Sequence, residues 1–585
     1  MTTPFLSSRR LAGRAGRILT TLLTASGSLA LAAQPALPAT AAAGDPVQVW
    51  KRPLGTASVV ESSPVAADLD GNGSVDVAFG GIDGWLHALK GADGGDVAGW
   101  PQKTTHAIAS SPAVADTDGD GKPELFVGSG DHASPAGAMY SYEHDGGLRF
   151  RYEAADPHSA ALPIHATPTL GDINADGTAD ATFGALGLKA WSLNQSGGVN
   201  SGWPYYTDDT TFSSAALVDV NGDGATDVVV GGDSTPGGPV DHRGGLVRAL
   251  TGSGQLIWEF RINEIVRSSP SVGDIDGDGA PEIVFGAGNF YKASDATKVF
   301  ALNLSGHLKP GWPRQTDGWT QGSPAVADVN GDGRLDVVMG TWRPDGHGSV
   351  YAWSGGGNDL PGFPQTITSG PVLGSVVTAD FNGDGAQDPL VPTTRGAWAF
   401  NGRNGAGLFK LADLKISLQN SPAVTDADGD GLLDIFLAGE DNDRPGKAVA
   451  YRFELPAAAG GKMGGSAWPM FRKDAQRSGS WTATPLSRDF CTSPKAGYWL
   501  TAADGGIFAF CEAKFLGSTG NIRLAQPIVG MTPTPTGKGY WLVARDGGLF
   551  AFGDAAFHGS TGNMKLAQPI VGMTPTPTGK GYWMV

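Results

Sequence analysis

One nine-residue pattern recurs eight times in this chain, and it restricts the fold more than any other feature. It reads Asp-x-[Asp/Asn]-x-[Asp/Asn]-Gly-x-x-[Asp/Glu] and starts at Asp68, Asp116, Asp172, Asp219, Asp274, Asp328, Asp380 and Asp426, a mean period of about 51 residues. A repeat of that length is one supersecondary unit, which buries its apolar faces only against its neighbours.

Each copy has the same surroundings. A short run of small and β-branched residues precedes it, as in Ser111-Pro112-Ala113-Val114-Ala115. A second run ending near glycine follows, as in Ile283-Val284-Phe285-Gly286, and then an aromatic-bearing third, as in Val350-Tyr351-Ala352-Trp353. Trp100-Pro101, Trp203-Pro204, Trp312-Pro313 and Phe363-Pro364 mark a fourth. Four short strands at this period make a propeller blade. Gly (89) and Pro (39) are frequent enough to suggest low complexity, but 24 Phe, 16 Trp and 11 Tyr argue for buried elements between turns. The reading is an all-β chain: an eight-bladed β-propeller of four-stranded blades over 44–485, then a small C-terminal β-repeat region over 486–585. Segments around Trp50 and Trp468 both compete to complete the last blade, and the Trp50 segment is favoured.

The acidic pattern has its own chemistry. Calcium takes six to eight oxygens. Side chains at positions one, three and five converge inside a tight loop, glycine at six permits the turn, position seven offers a carbonyl and position nine adds a carboxylate. The candidate ligands are Asp68, Asp70, Asn72 and Asp76; Asp116, Asp118, Asp120 and Glu124, with the Lys122 carbonyl; Asp172, Asn174, Asp176 and Asp180; Asp219, Asn221, Asp223 and Asp227. The later copies offer Asp274, Asp276, Asp278 and Glu282; Asp328, Asn330, Asp332 and Asp336; Asp380, Asn382, Asp384 and Asp388; Asp426, Asp428, Asp430 and Asp434. An EF-hand is excluded, because its twelfth position needs Glu and the first copy has Phe79. A single copy could equally be a metal-free Asx turn. Eight crowded acidic loops repel without a cation, so up to eight Ca²⁺, one per blade, are expected. The loops hold 27 of the 58 acidic residues, so the net charge of −17 is largely theirs. That balance still argues against nucleic acid as a partner.

These repeats resemble the FG-GAP/VCBS family of calcium-binding propeller repeats, also found in integrin α-subunit heads. The Phe-Gly element stands at Phe79-Gly80, Phe183-Gly184 and Phe285-Gly286. The seventh copy departs with Val391-Pro392, and the third has Ala175 in place of glycine.

The termini read differently. Arg9, Arg10, Arg14 and Arg17 precede an uncharged apolar run and small-x-small sites ending at Ala43, which reads as a signal peptide over 1–43. No other stretch could span a membrane, so the mature chain is expected to be secreted or envelope-associated. Residues 497–538 and 539–580 are copies identical at 33 of 42 positions. Their Gly-Tyr-Trp-Leu, Asp-Gly-Gly and Phe-Ala-Phe elements resemble Gly-Tyr-Trp-Leu-Val repeats of secreted actinobacterial proteins. Cys491 and Cys511 lie in this tail, where a disulfide is the default for an exported chain, with two unpaired thiols as the alternative.

No nucleophile elbow, zinc-protease motif or phosphate-cradling loop is present. His158 and His165 read as a solvated loop pair. The leading expectation is an extracellular binding or adhesion module for wall polysaccharide or a surface protein. The alternative is a polysaccharide lyase or hydrolase on the same scaffold. A remoter one is a quinoprotein dehydrogenase, which the segment Ala249–Trp258 resembles. In a blade the acidic hairpins share one face, so long loops on the opposite face should carry ligand. Tyr291, Trp342 and Arg343 are the candidates there.

Overall fold

A computed structural model describes residues 44–54, 61–130, 136–155, 162–236, 240–411, 416–418, 420–481 and most of 497–584, namely 497–503, 505–511, 514–519, 524–534, 536, 538–566, 568–576 and 581–584. Strands dominate; helical structure among these residues is confined to the 3₁₀ turns Ser294–Thr297 and Ala457–Ala459. No helix among them is long and apolar enough to cross a membrane.

Eight antiparallel sheets carry the eight repeats. In the first, Val65–Ala67, Asp76–Gly80, Trp85–Lys90 and Gln102–Lys103 pair in chain order. The innermost strands of the others are Ala113–Ala115, Thr169–Gly171, Ala216–Val218, Ser271–Gly273, Ala325–Ala327, Val377–Ala379 and Ala423–Thr425. Each packs beside the next and the last beside the first, so the sheets close into a ring of blades. Small residues dominate these strands because eight chains crowd one axis. The second strands are almost entirely buried, and Asp76–Gly80 and Glu124–Gly128 wholly so. The Phe-Gly glycine makes room for the next blade: a Cβ at Gly80 would sit 2.1 Å from Ile108 Cγ2.

The eighth blade is completed from the other end of the chain. Val47–Leu54 pairs antiparallel with Ala448–Glu454 as its outer strand. Trp50 Nε1 then donates to the Gly91 carbonyl of the first blade (2.8 Å). Trp100, Trp203, Trp258 and Trp312 make the equivalent bond to His144, Gly252, Leu304 and Gly355 at 2.7–3.0 Å. The resemblance of Ala249–Trp258 to a quinoprotein blade thus coincides with an inter-blade indole staple.

The Trp468 segment, a rival for that outer strand by sequence, lies instead at the axis. Trp468 is buried, its N–H donates to Thr378 Oγ1 and its carbonyl accepts the Thr378 N–H. From there to Trp481 the chain crosses from blade to blade. Carbonyls of Pro469, Ala475, Gln476, Ser478 and Gly479 accept the N–H groups of Val424, Val114, Leu170, Leu217 and Val272 (2.8–3.2 Å). Arg477 donates to the carbonyls of Pro112, Ser63 and Pro64, Arg472 to those of Pro270 and Ala215, and Trp481 Nε1 to that of Val326. One segment therefore contacts all eight blades, at or just before their innermost strands. Full burial lowers both guanidinium pKa values to about 9.

A second ring lies just N-terminal of these contacts on each strand. Ser63 N–H donates to Ser111 Oγ, Ser111 to Thr167, Thr167 to Ser214 and Ser214 to Ser269, at 2.8–3.1 Å. Ser269 continues to Ser323, Ser323 to Ser375, Ser375 to Ser421, and Ser421 returns to Ser63, again at 2.8–3.1 Å.

In the tail the repeats form hairpins, including Gly497–Thr501 with Ile507–Cys511 and Gly539–Ala544 with Leu549–Gly553. Trp499 Nε1 donates to the Lys514 carbonyl and Trp541 Nε1 to that of Ala556, the same bond one repeat later. The expected Cys491–Cys511 pairing involves side chains that lie outside the described residues.

Candidate functional site

The eight acidic hairpins share one hydrogen-bond scheme. The position-one carboxylate accepts the N–H of the position-six glycine at 2.9–3.1 Å in all eight, from Asp68–Gly73 to Asp426–Gly431. The position-five oxygen accepts the N–H two residues on at 2.7–2.9 Å, as in Asp120 with Lys122. The position-nine carboxylate accepts the N–H at position two, from Leu69 with Asp76 to Ala427 with Asp434, at 2.6–3.2 Å. This scheme needs left-handed backbone at position four. Glycine supplies it in seven copies, and Ala175 adopts φ 59° in the third.

The position-nine acids start the second strands and are buried. Burial pushes Asp76, Glu124 and Asp336 up to about 7, Asp180, Asp227 and Asp434 to about 6, and Asp388 to about 8. Glu282 moves in the same direction for the same reason.

Four hairpins bring three or more carboxylates together within 4.8 Å: Asp68, Asp70 and Asp76; Asp116, Asp118, Asp120 and Glu124; Asp274, Asp276 and Glu282; Asp426, Asp428 and Asp434. The other four carry Asn174, Asn221, Asn330 and Asn382 at position three, so an amide oxygen stands where a charge would. These clusters could hold metal ions. Their donors are all oxygen, as a hard cation requires. Glu124 Oε1 is buried beside the cluster without a hydrogen-bond donor.

Sequence reading missed a set of cations near the loops. Arg149 lies 3.3 Å from Asp118 and 3.0 Å from Glu124. Lys309 lies 2.6 Å from Asp276 and 2.8 Å from Glu282. Arg452 lies 2.6 Å from Asp428 and 2.7 Å from Asp434, and Arg403 lies 3.3 Å from Asp384. Half of the hairpins therefore carry a basic side chain from their own blade.

The opposite face holds a cavity of about 360 Å³ on the axis. All eight ring hydroxyls line it, with Phe471 of the axial segment, Arg267, Glu61, His165, Gln321 and Trp342. Of the three residues expected there, Trp342 lines the cavity. It exchanges backbone bonds with Trp319 (2.8 and 3.0 Å) and the rings meet edge-on at 4.9 Å. Tyr291 lies under the Arg243 guanidinium at 4.7 Å, and Arg343 pairs with Asp345 (2.8 Å) and Asp317 (3.4 Å). His165 is not solvated: its side chain is buried and its Nδ1 lies 3.2 Å from Glu61. His158 lies outside the described residues. The serine signal was present in sequence, as Ser-Ser-Pro or a variant before each inner strand, but it reads there only as strand-forming small residues.

FG-GAP-like repeats match residues 68–127, 116–182, 219–285, 274–339 and 328–391. No curated protein sequence matches the chain. Among solved structures, the V. cholerae biofilm matrix protein Bap1 is similar at 14% identity, with 73% of this chain and 97% of that chain covered and a TM-score of 0.50. Saccharomyces cerevisiae Sqt1 is similar at 12% identity, with 70% and 100% covered and a TM-score of 0.50. Such identities bear on fold alone, and the fold agrees with the repeat match. The chain is an FG-GAP-repeat β-propeller.

Proposed function

We propose that this chain is an exported, calcium-stabilised propeller that binds extracellular polysaccharide through the face opposite its acidic hairpins. In this reading residues 1–43 direct export, 44–485 form the binding module and 486–585 a separate repeat region. Side chains at positions one, three, five and nine, with the position-seven carbonyl, hold Ca²⁺. The ion supplies positive charge that neutralises each hairpin and fixes the turn between the first two strands. The observation that carries the reading is the division of labour between faces. Short, near-identical loops crowd one side. A cavity with mixed aromatic and polar lining opens on the other. Aromatic rings offer apolar area with little entropy to lose, and mixed donors suit hydroxyl-rich ligands. The fold shared with a biofilm matrix protein is compatible with an adhesive role.

A glycan and surface-protein array with the calcium-loaded mature chain tests this. Binding to a polysaccharide is expected, with loss on changing Tyr291, Trp342 and Arg343 together to Ala while the calcium-dependent melt persists. Binding that survives the triple change and disappears on altering the acidic face would overturn the assignment of faces. Binding only to proteins would overturn the polysaccharide reading.

A further inference from the structure

The ring of hydroxyls around the axis does more than join blades. Each Oγ accepts one backbone N–H, so its own proton remains to be given. Among the described residues none of the eight donates to a protein acceptor, and all eight are nine-tenths or more buried. Buried donors are satisfied by something. Among the described residues, what these hydroxyls face is the cavity they line.

That cavity has a definite shape and chemistry. A cavity of about 360 Å³ lined by hydroxyls from all eight blades is far larger than one small ion. Phe471 lines it on the side of the axial segment, with the Arg477 guanidinium 5.8 Å from its ring. Glu61 sits beside His165 and Arg267 lies over Phe212, so opposite charges balance and neither an anion nor a cation is favoured. A volume of about 360 Å³ lies at the small end of the range for small-molecule sites. The axial segment closes the channel beyond Phe471, so a polymer cannot thread through.

We infer that this cavity recognises the terminal pyranose of a glycan, entering end-on, with its ring over Phe471 and its hydroxyls directed at the serine ring. A pyranose matches the site because its hydroxyl groups radiate outward, each both donor and acceptor, as the ring hydroxyls are. The inference rests on the polysaccharide reading above and adds that the chain end, not the chain interior, is what the axis reads.

The test uses the calcium-loaded mature chain, calorimetry and saturation-transfer NMR. The probes are methyl glycosides of glucose, galactose, mannose and rhamnose, and linear oligosaccharides of each with free or O-methylated non-reducing ends. At least one probe should bind, one per chain, with Kd of about 1 mM or tighter, and end-capping should abolish binding. Changing Ser269 and Ser375 together to Ala should weaken it about tenfold or more. Ser269→Thr, which keeps the hydroxyl as Thr167 does, should retain binding and controls for misfolding. Gln321→Trp, placed at the cavity, should abolish it with the melt unchanged. Absence of binding by every probe at tens of millimolar, about ten times that Kd, would leave a water-filled cavity only and overturn the inference. So would binding indifferent to Gln321→Trp. If polysaccharides bind the array through Tyr291 and Arg343 while Gln321→Trp leaves them unaffected, the general reading stands and end recognition falls.

Discussion

A carboxylate at the ninth motif position is held in a contradiction. It is buried at the start of a strand, yet it faces other acids across a tight loop. Without metal the contradiction is relieved by a proton, which is why Asp76, Glu124 and Asp336 rise to about 7 and Asp388 to about 8, burial being the main cause. Folded pKa values above the unfolded ones mean that the native state binds the extra protons. The stability they contribute is full below about pH 4 and is lost as pH rises through 6 to 8. Metal-stripped protein should therefore melt several degrees lower at pH 8 than at pH 5. Calcium should reverse that slope, because the ion replaces the proton and binds only the native hairpin. Calorimetry with and without chelator checks this. Equal slopes in both conditions, with no calcium by elemental analysis, would show that the hairpins work without metal. The serine ring gives a second expectation at this scale. Ser323→Ala leaves the buried Ser269 N–H without its acceptor and should cost about 1–3 kcal/mol, read as a shift in denaturant midpoint. Ser323→Thr should cost much less.

At the scale of the hairpin, the eight loops are alike in sequence but not in setting. Arg149, Lys309, Arg403 and Arg452 each pair with carboxylates of one, and Arg403 also donates to the Asn330 carbonyl of the hairpin before its own. A resident ammonium competes with a metal ion for the same oxygens. Lys309→Met should therefore strengthen metal binding at the fifth hairpin by about tenfold, since a like charge a few ångströms away is removed. Terbium luminescence or calorimetric titration reads that gain, and unchanged affinity would show that Lys309 swings clear when metal enters. This setting also marks what sequence could reveal. The loop was legible because its oxygens lie at fixed offsets within nine residues, where local geometry brings them together whatever the rest of the chain does. Its basic partners were not. Arg149 stands 31 residues after Asp118 and Arg452 24 after Asp428, offsets set by loop lengths that vary from blade to blade. Three of the five inter-blade indoles, Trp100, Trp203 and Trp312, were legible as repeated Trp-Pro, though not the carbonyls they would find.

At the scale of the whole molecule the question is what keeps a ring shut. Period and copy number implied a closed set of blades, and of the two segments competing to complete the last one, around Trp50 and around Trp468, the favoured Trp50 segment is the one that pairs with Ala448–Glu454. The axial role of 468–481 was not readable. That segment belongs to no repeat, and its partners are backbone groups, which leave no side-chain signature. Its importance follows from counting what it satisfies. The N–H groups of Val114, Leu170, Leu217, Val272, Thr378 and Val424 end on its carbonyls, and all six residues are buried. Leaving a buried donor unpaired costs about 1–3 kcal/mol, less where water can replace the acceptor. At about 1 kcal/mol each, six such losses amount to roughly 6 kcal/mol, comparable to the lower range of a domain's whole stability. The buried Trp468 and the clamp of Arg477 on Ser63, Pro64 and Pro112 go with them. A mature chain ending at Ala467 should therefore lose its cooperative melt or fall far below wild type, even with calcium in excess. One ending at Trp481 should keep the propeller's melt, because the tail contributes none of these contacts. The comparison isolates fourteen residues. If both truncated chains melt alike, the blades hold their ring by side-to-side packing and the serine ring alone, and the axial segment is a passenger.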